Sequence, residues 1–495
     1  MMRDTRGIID RRVVIVGGGN AGLLSALILR KAFPEFQITI IKSSKIGTIG
    51  VGEGSTEHWR TFMDFANIKA SELLPAVEGT HKKGIRFEGW TKHTPDYFHS
   101  IGSLRNPPHV GEFNAMYAGL QAKKVLFSEY TIVGDQRKNI VSAIEPHKTV
   151  NQFHFDTNAL NNFLTFKCKK RNIRILDDEV VDVHVSDSDW VESVKVGALT
   201  LKADFWIDAS GFNRVLMSRL SDVKWNSFSN YLLTDSAIAF RTPSDVSGEI
   251  RPYTRARALK NGWAWEIPTQ KERGNGYVYS SAFCNEEEAV AEMEELLNVS
   301  ISDYKHFNFD PGYLEKPWVG NCVAVGLASS FVEPLEATSI GSTINQSFAL
   351  LGFLASFRKG NEYSINQYNQ TIKNMMLNIR DMICLHYMSD REDTEFWCKQ
   401  KSMPIPDSLE HLLGVWSERV PENGDVQGAG LLFRMLHFCY VAQGQGFLDA
   451  GVALDAIAAY GVVDSVEDFL YDLKEAKHSR PMRDHAEVLK ELKNS

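Results

Sequence analysis

Gly17, Gly19 and Gly22 stand between a run of β-branched residues and a run of leucines, a spacing that can build a phosphate site from backbone alone. Arg11-Arg12-Val13-Val14-Ile15-Val16 reads as a buried parallel strand, and Leu23 to Leu29 as the helix that follows it. Gly17 permits the tight turn, Gly19 lets backbone approach a pyrophosphate, and Gly22 lets the helix pack on the strand. Asn20 and Ala21 stand in the same loop, and the N-terminus of the helix behind it supplies unpaired N–H groups that favour phosphate. A second strand, Gln37 to Ile41, should end in an acid that holds a ribose hydroxyl. The residue there is Lys42, which removes one acceptor but leaves the phosphate site intact. Directly afterwards comes a second glycine-dense loop, Ile49-Gly50-Val51-Gly52-Glu53-Gly54-Ser55-Thr56, whose plain reading is a flexible turn.

Two further segments carry reactive or bulky groups. Thr80-His81-Lys82-Lys83-Gly84-Ile85-Arg86-Phe87-Glu88-Gly89-Trp90 contains a lysine that could donate a hydrogen bond or act as a nucleophile. Taken alone, Lys82 is an ordinary solvated charge. In Trp263-Ala264-Trp265-Glu266-Ile267-Pro268, alternation puts both indoles on one face of an extended segment. They form a rigid wall there, or simply pack a core. The patterns KxGxxFxxW and WxWxIP, in this order behind a dinucleotide loop, resemble the flavin-dependent halogenase family, of the tryptophan-halogenase-like kind.

That resemblance implies that reduced FAD, O2 and a halide generate hypohalous acid, which halogenates an electron-rich aromatic ring. It makes Lys82 the group that captures or aligns the hypohalous acid. Phe331-Val332-Glu333-Pro334-Leu335-Glu336-Ala337-Thr338-Ser339-Ile340 resembles the family's EPLEST segment. Glu336 is then the catalytic carboxylate, and Thr338 and Ser339 hold the halide through backbone N–H groups. On residue chemistry alone, Glu336 and still more Glu333 read as charges at a helix start. Trp263, Trp265 and Pro268 become the wall that keeps the organic substrate off the flavin. Gly50, Val51, Gly52 and Glu53 become a second flavin loop. Ala203 to Phe212 resembles the returning strand and turn of FAD-dependent oxidoreductases, and Val323 to Ala328, with Gly326, their last strand. Flavin hydroxylases usually follow that glycine with Asp; here Leu327 follows it. His99 lies near the family's aromatic sandwich, with a structural histidine as its alternative. Between Leu431 and Ala450 stand Phe433, His437, Phe438, Tyr440 and Phe447 but no tryptophan, so indoles or phenols are expected rather than free tryptophan. An external flavin reductase is the expected partner. A flavin monooxygenase of the same fold, or a catalytically inactive flavin-binding protein, is the alternative.

These groups need an α/β fold: an FAD-binding Rossmann-like layer of the GR2/monooxygenase type, with a mixed sheet and a helical C-terminal substrate-side region. Residues 1–360 are expected to form a discontinuous flavin layer with inserted substrate-side strands, and 361–495 to cover the substrate cavity. Strands are expected at Val180–Val185 and Val191–Leu201. Helices are expected at Tyr363–His386, Leu431–Gln443 and Ser465–Glu475, the last capped by Asp464, and the charged tail from Lys477 to Ser495 reads as a solvated helix. A chain of 495 residues with 43% hydrophobic and 23% charged residues can bury a large core. Its net charge of −8 argues against nucleic acid or an anionic membrane surface as partner. The start, Met1-Met2-Arg3-Asp4, has no apolar signal core, and Val13 to Leu29 is too interrupted to span a membrane. Six scattered cysteines without ligand spacing suggest reduced thiols in the cytoplasm and no metal site. Homo-oligomerisation is left open.

Overall fold

The computed structural model describes residues 11–47, 50, 52–92, 94, 96–100, 119–124, 126, 139–143, 150, 152–244, 249–461, 466–468, 471, 475 and 481–494. Val51, Asp464 and most of the helix expected at Ser465–Glu475 lie outside these residues, as do the first ten. A six-stranded sheet carries the dinucleotide loop, in the order Trp318–Val319, Cys322–Ala324, Phe205–Asp208, Arg12–Val16, Gln37–Lys42 and Arg174–Asp177. All its pairs are parallel except that between Trp318–Val319 and Cys322–Ala324. Val13 to Val16 are all buried, as a strand covered on both faces requires. The following helix, Asn20–Ala32, packs against the helices Thr157–Lys170 and Thr338–Leu354. Gly17 turns the chain at φ +119°, and a Cβ there would stand 2.2 Å from the Ala209 carbonyl oxygen. Only glycine lets the loop come so close to the end of the neighbouring strand.

A seven-stranded sheet stands beside this layer: Tyr304–Asn308, Ser236–Pro243, Glu272–Tyr279, Gly262–Pro268, Thr254–Ala258, Gly84–Glu88 and Asp96–Ser100. Its one parallel pair joins Gly84–Glu88 to Thr254–Ala258. Every residue of the central Gly262–Pro268 strand is buried. Directly after the second indole, Glu266 is buried among Arg251, Arg255, Arg257 and Arg273, which neutralise it. A small sheet, Glu53–Gly54, Gln152–Phe155 and Thr80–Lys82, ties the second glycine loop to the strand bearing Lys82.

Three expectations need correction. Val191–Leu201 is two strands, Val191–Val196 and Leu199–Leu201, because the chain reverses at Gly197 with φ +54°. The helix expected from Leu431 begins at Met435, since Arg434 is extended. The tail is docked, not solvated: Met482–Asp484 pairs with Ile140–Ser142, and the helix His485–Asn494 buries Val488 and Leu489. Its first residue, His485, places Nε2 3.2 Å from His81 Nδ1, beside Lys82. By contrast the long helix Glu362–Tyr387 matches its expected span to within one residue at each end.

Glu333 is a further correction, since it is a buried hub and not a helix-start charge. It accepts hydrogen bonds from Thr234 Oγ1 at 2.6 Å, Trp263 Nε1 at 3.0 Å and the Tyr387 hydroxyl at 3.2 Å. Burial nevertheless outweighs these donors and pushes its pKa up to about 7. Between the unfolded value near 4.5 and about 7, the unfolded state ionises first, so this group's contribution to stability falls as pH rises. Glu333→Gln, which stays neutral, should therefore gain on the wild type by ~1–3 kcal/mol between pH 5 and pH 8, read from urea melts at both. Gly17→Ala should lose ~1–3 kcal/mol in the same melts and weaken flavin binding in a fluorescence titration.

Candidate active site

A cavity of about 560 Å³ begins at the dinucleotide loop and ends at the Glu336 turn. Gly17 to Ala21, Gly50, Gly52, Glu53 and Gly326 line it, with Trp263, Trp265 and Ile267 along one wall and Glu336, Ala337, Ser339 and Ile340 beyond. Gly22 does not line it; a Cβ there would meet the Gly17 carbonyl oxygen at 2.0 Å, so its role is to let helix and loop close. Pro268 belongs to the tryptophan strand but is not among the lining residues. Two features fit a flavin dinucleotide. A Cβ on Gly19 would meet nothing within 4 Å, leaving backbone open to a phosphate. The buried Thr157 hydroxyl lines the cavity and has no partner among the described residues, so a bound polar group can supply one.

Lys42 is turned away from ribose chemistry. Its ammonium donates to Asn161 Oδ1 at 2.6 Å and Thr165 Oγ1 at 3.2 Å, and its methylenes cover Gly18. Asp178 and Glu179, just after the adjacent strand, line the cavity and are acidic. Glu53 is half-buried, and desolvation pushes its pKa up to about 7.

Lys82 is 2% exposed, far from the solvated charge its residue type suggests. Its ammonium donates to the Ser55 carbonyl at 2.8 Å. Burial lowers its pKa to about 8, against the opposing charges of Glu336 and Glu57. A Cβ on Gly54 would lie 3.3 Å from Lys82 Nζ and 3.5 Å from Ala337 Cβ, so the amine and the glutamate turn meet across that glycine. Glu336 and Ala337 both adopt left-handed backbone, at φ 65° and 55°. Such conformations cost ~1–3 kcal/mol each for residues with a side chain and concentrate at functional sites. They lead into the helix Thr338–Leu354, whose N-terminus has no side-chain cap, so its first N–H groups remain available for an anion.

Glu336 is 4% exposed and paired on one oxygen only. His386 Nε2 donates to Oε1 at 2.9 Å, and His99 Nδ1 lies 2.7 Å from the same atom. Burial would raise this carboxyl, but the proximity of His99 and the His386 hydrogen bond outweigh it and hold the pKa well below the usual range. His99 also faces the rings of Phe433, His437 and Tyr440, so it joins Glu336 to the residues between 431 and 450.

The lysine pattern acquires a physical meaning here. Gly84, at φ +156°, would drive a Cβ to 2.2 Å from the His99 carbonyl. Phe87 stacks on His386 at 4.3 Å, and Trp90 packs against Trp263 and Tyr387 while donating to the Ala256 carbonyl. His386, Tyr387 and Tyr97 are the residues that sequence reasoning missed. Alternation along Asp96–Ser100 puts Tyr97 and His99 on one face and could have flagged the first. No local signal points from His386 to Glu336, 50 positions away.

A family model described as tryptophan halogenase matches residues 12–456. The tryptophan 6-halogenase of Streptomyces toxytricini is 31% identical over 449 residues, covering 84% of this chain and 85% of that one. The tryptophan 7-halogenase of Lentzea aerocolonigenes is 32% identical over 438 residues, 83% and 82% of the two chains. Among solved structures, a tryptophan C-6 flavin-dependent halogenase from taromycin biosynthesis superposes with a TM-score of 0.84 at 27% identity, covering 98% of this chain and 100% of its own. With a dinucleotide loop, a tryptophan wall and Glu336 lining one cavity, Lys82 buried beside its Gly54 wall, and with these relatives, the chain belongs to the tryptophan halogenase family of flavin-dependent halogenases.

Proposed function

We propose that this protein takes reduced FAD and a halide into its cavity and halogenates an electron-rich aromatic ring, an indole or phenol, between Lys82 and Glu336. The observation that carries the reading is the approach of the buried Lys82 amine and the Glu336–Ala337 turn to Gly54, a glycine at the wall of the cavity that begins at the dinucleotide loop. Reduced FAD, with O2 and halide, supplies hypohalous acid. The cofactor contacts would be Gly17, Gly19, Asn20, Ala21, Gly50, Gly52, Glu53 and Gly326, all of which line that cavity. Thr338 and Ser339 hold the halide through the N–H groups of the uncapped helix start. Trp263, Trp265 and Ile267 stand between the organic substrate and the cofactor.

Lys82 donates a hydrogen bond to the oxygen of hypohalous acid and leaves the halogen electrophilic. A ring carbon attacks the halogen; the carbon–halogen bond forms and the oxygen–halogen bond breaks. The departing oxygen takes a proton from Lys82 and leaves as water. Glu336 accepts the proton lost by the ring and returns it to the amine. A lysine whose pKa lies near 8 suits both halves of this exchange, because its two forms are comparably populated there.

Engagement of His99 with Glu336 supports a substrate site unlike an aromatic sandwich around free tryptophan. The helices after residue 361 would close the substrate side, since Met435–Gln445 presents His437 and Tyr440 to His99. Reduced flavin would come from a separate reductase. A cytoplasmic location is consistent with free thiols, five of the six buried, and no described helix is long and apolar enough to cross a membrane.

Protein, FAD, a flavin reductase and NADH should convert a panel of indoles and phenols to products carrying a halogen, read by mass spectrometry with chloride, bromide or iodide. Lys82→Ala should remove that product, by ~100-fold or more, while flavin reoxidation continues. Products gaining only oxygen would make the protein a monooxygenase, and catalytic NADH oxidation without the reductase would end the two-component reading.

A further inference from the structure

The Glu336 carboxylate uses its two oxygens unequally. Both imidazoles, His386 and His99, converge on Oε1, and no described residue donates a hydrogen bond to Oε2. His386 is completely buried, stacked on Phe87, and its pKa is lowered by that burial in spite of Glu336. A carboxylate only accepts, so Nε2 carries the proton; a neutral ring then has Nδ1 as an acceptor. The Tyr97 hydroxyl stands 2.8 Å from Nδ1 and fixes that tautomer. Tyr97 stays protonated, because burial and the charge of Glu336 raise its pKa well above the usual value. Gln445 completes the row, donating to the His386 carbonyl at 2.7 Å.

We infer that His386, oriented by Tyr97, is a positioning residue for halogenation: it occupies Oε1 of Glu336 and keeps Oε2 ionised and aimed into the cavity to receive the ring proton. This rests on the function proposed above. A carboxylate that rotated freely, or was protonated before the ring attacked, would leave the halogenated ring without a base. The other titratable groups facing this pair are Lys82 and Glu57 on the flavin side, His99 on its strand and His437 on the Met435–Gln445 helix. None of them is placed to replace the His386 donor, since His99 approaches without hydrogen-bond alignment.

The test compares the pH dependence of halogenation in the wild type, His386→Phe, His386→Gln and Tyr97→Phe, with flavin reoxidation measured alongside. Phe keeps the stacking on Phe87 and removes the donor; Gln keeps an amide N–H for Oε1. His386→Phe should move the acid limb of kcat upward by ~1–2 pH units, a ~10–100-fold loss on that limb, with reoxidation unchanged. His386→Gln should recover most of it, and Tyr97→Phe should give a smaller shift in the same direction. An unshifted limb in His386→Phe, or a Gln variant no better than Phe, overturns the inference. Should the Phe variant not bind flavin, Tyr97→Phe decides, and a wild-type profile there overturns it too. Absence of halogenated product from the wild type would instead end the proposed function itself.

Discussion

A carboxylate with its charge buried must be paired or it will protonate, and the architecture around Glu336 follows from that constraint. The turn carrying it is strained at two consecutive residues, so the pairing must also hold the backbone in place. One helix end meets both demands. His386 and Tyr387 are adjacent at the close of the helix Glu362–Tyr387, and they bind Glu336 and Glu333 respectively. The same Glu333 takes the indole N–H of Trp263. A single pair of neighbours therefore fixes the carboxylate, the turn and one member of the tryptophan wall.

The helix that begins after that turn connects the site to the cofactor layer. Ser347 on Thr338–Leu354 meets Ser25 on the helix following the glycine loop at 2.8 Å, small residues that let the two helices approach. One residue earlier, Gln346 accepts from the Gly326 N–H at 2.8 Å. The helix is thus referenced at its start to Glu336 and along its length to the Gly326 turn and the helix that follows the glycine loop. The distance from Glu336 to the dinucleotide loop is set by this one rigid element and not by a loop.

Legibility in the sequence tracked how local each constraint is. The strand, glycine loop and helix at 12–32 could be read because the residues that need one another are neighbours. Lys82 and Glu336 could be assigned only through spacing patterns, since residue chemistry alone makes one a surface charge and the other a helix-start acid. The structure buries both. What could not be read is long-range: Phe87 serves His386 and Trp90 serves Tyr387, each about 300 positions on. Glu333 was misread because nothing nearby announces three donors from Thr234, Trp263 and Tyr387. The tail looked solvated because its charges are dense, while its few apolar residues fall on one buried side.

The contact between His81 and His485 spans 404 positions and touches the strand that holds Lys82. Proteins are made from the N-terminus onward, so this has a consequence for the order of assembly. When residue 324 has emerged, all six strands of the cofactor layer exist, yet Glu336, its histidine partner and the final support of the lysine strand do not. The last of these emerges only with residue 485. A nascent chain can thus complete the layer that carries the glycine loop well before it owns every contact around Lys82 and Glu336, and the interval to the last of them is about one third of the time taken to make the protein.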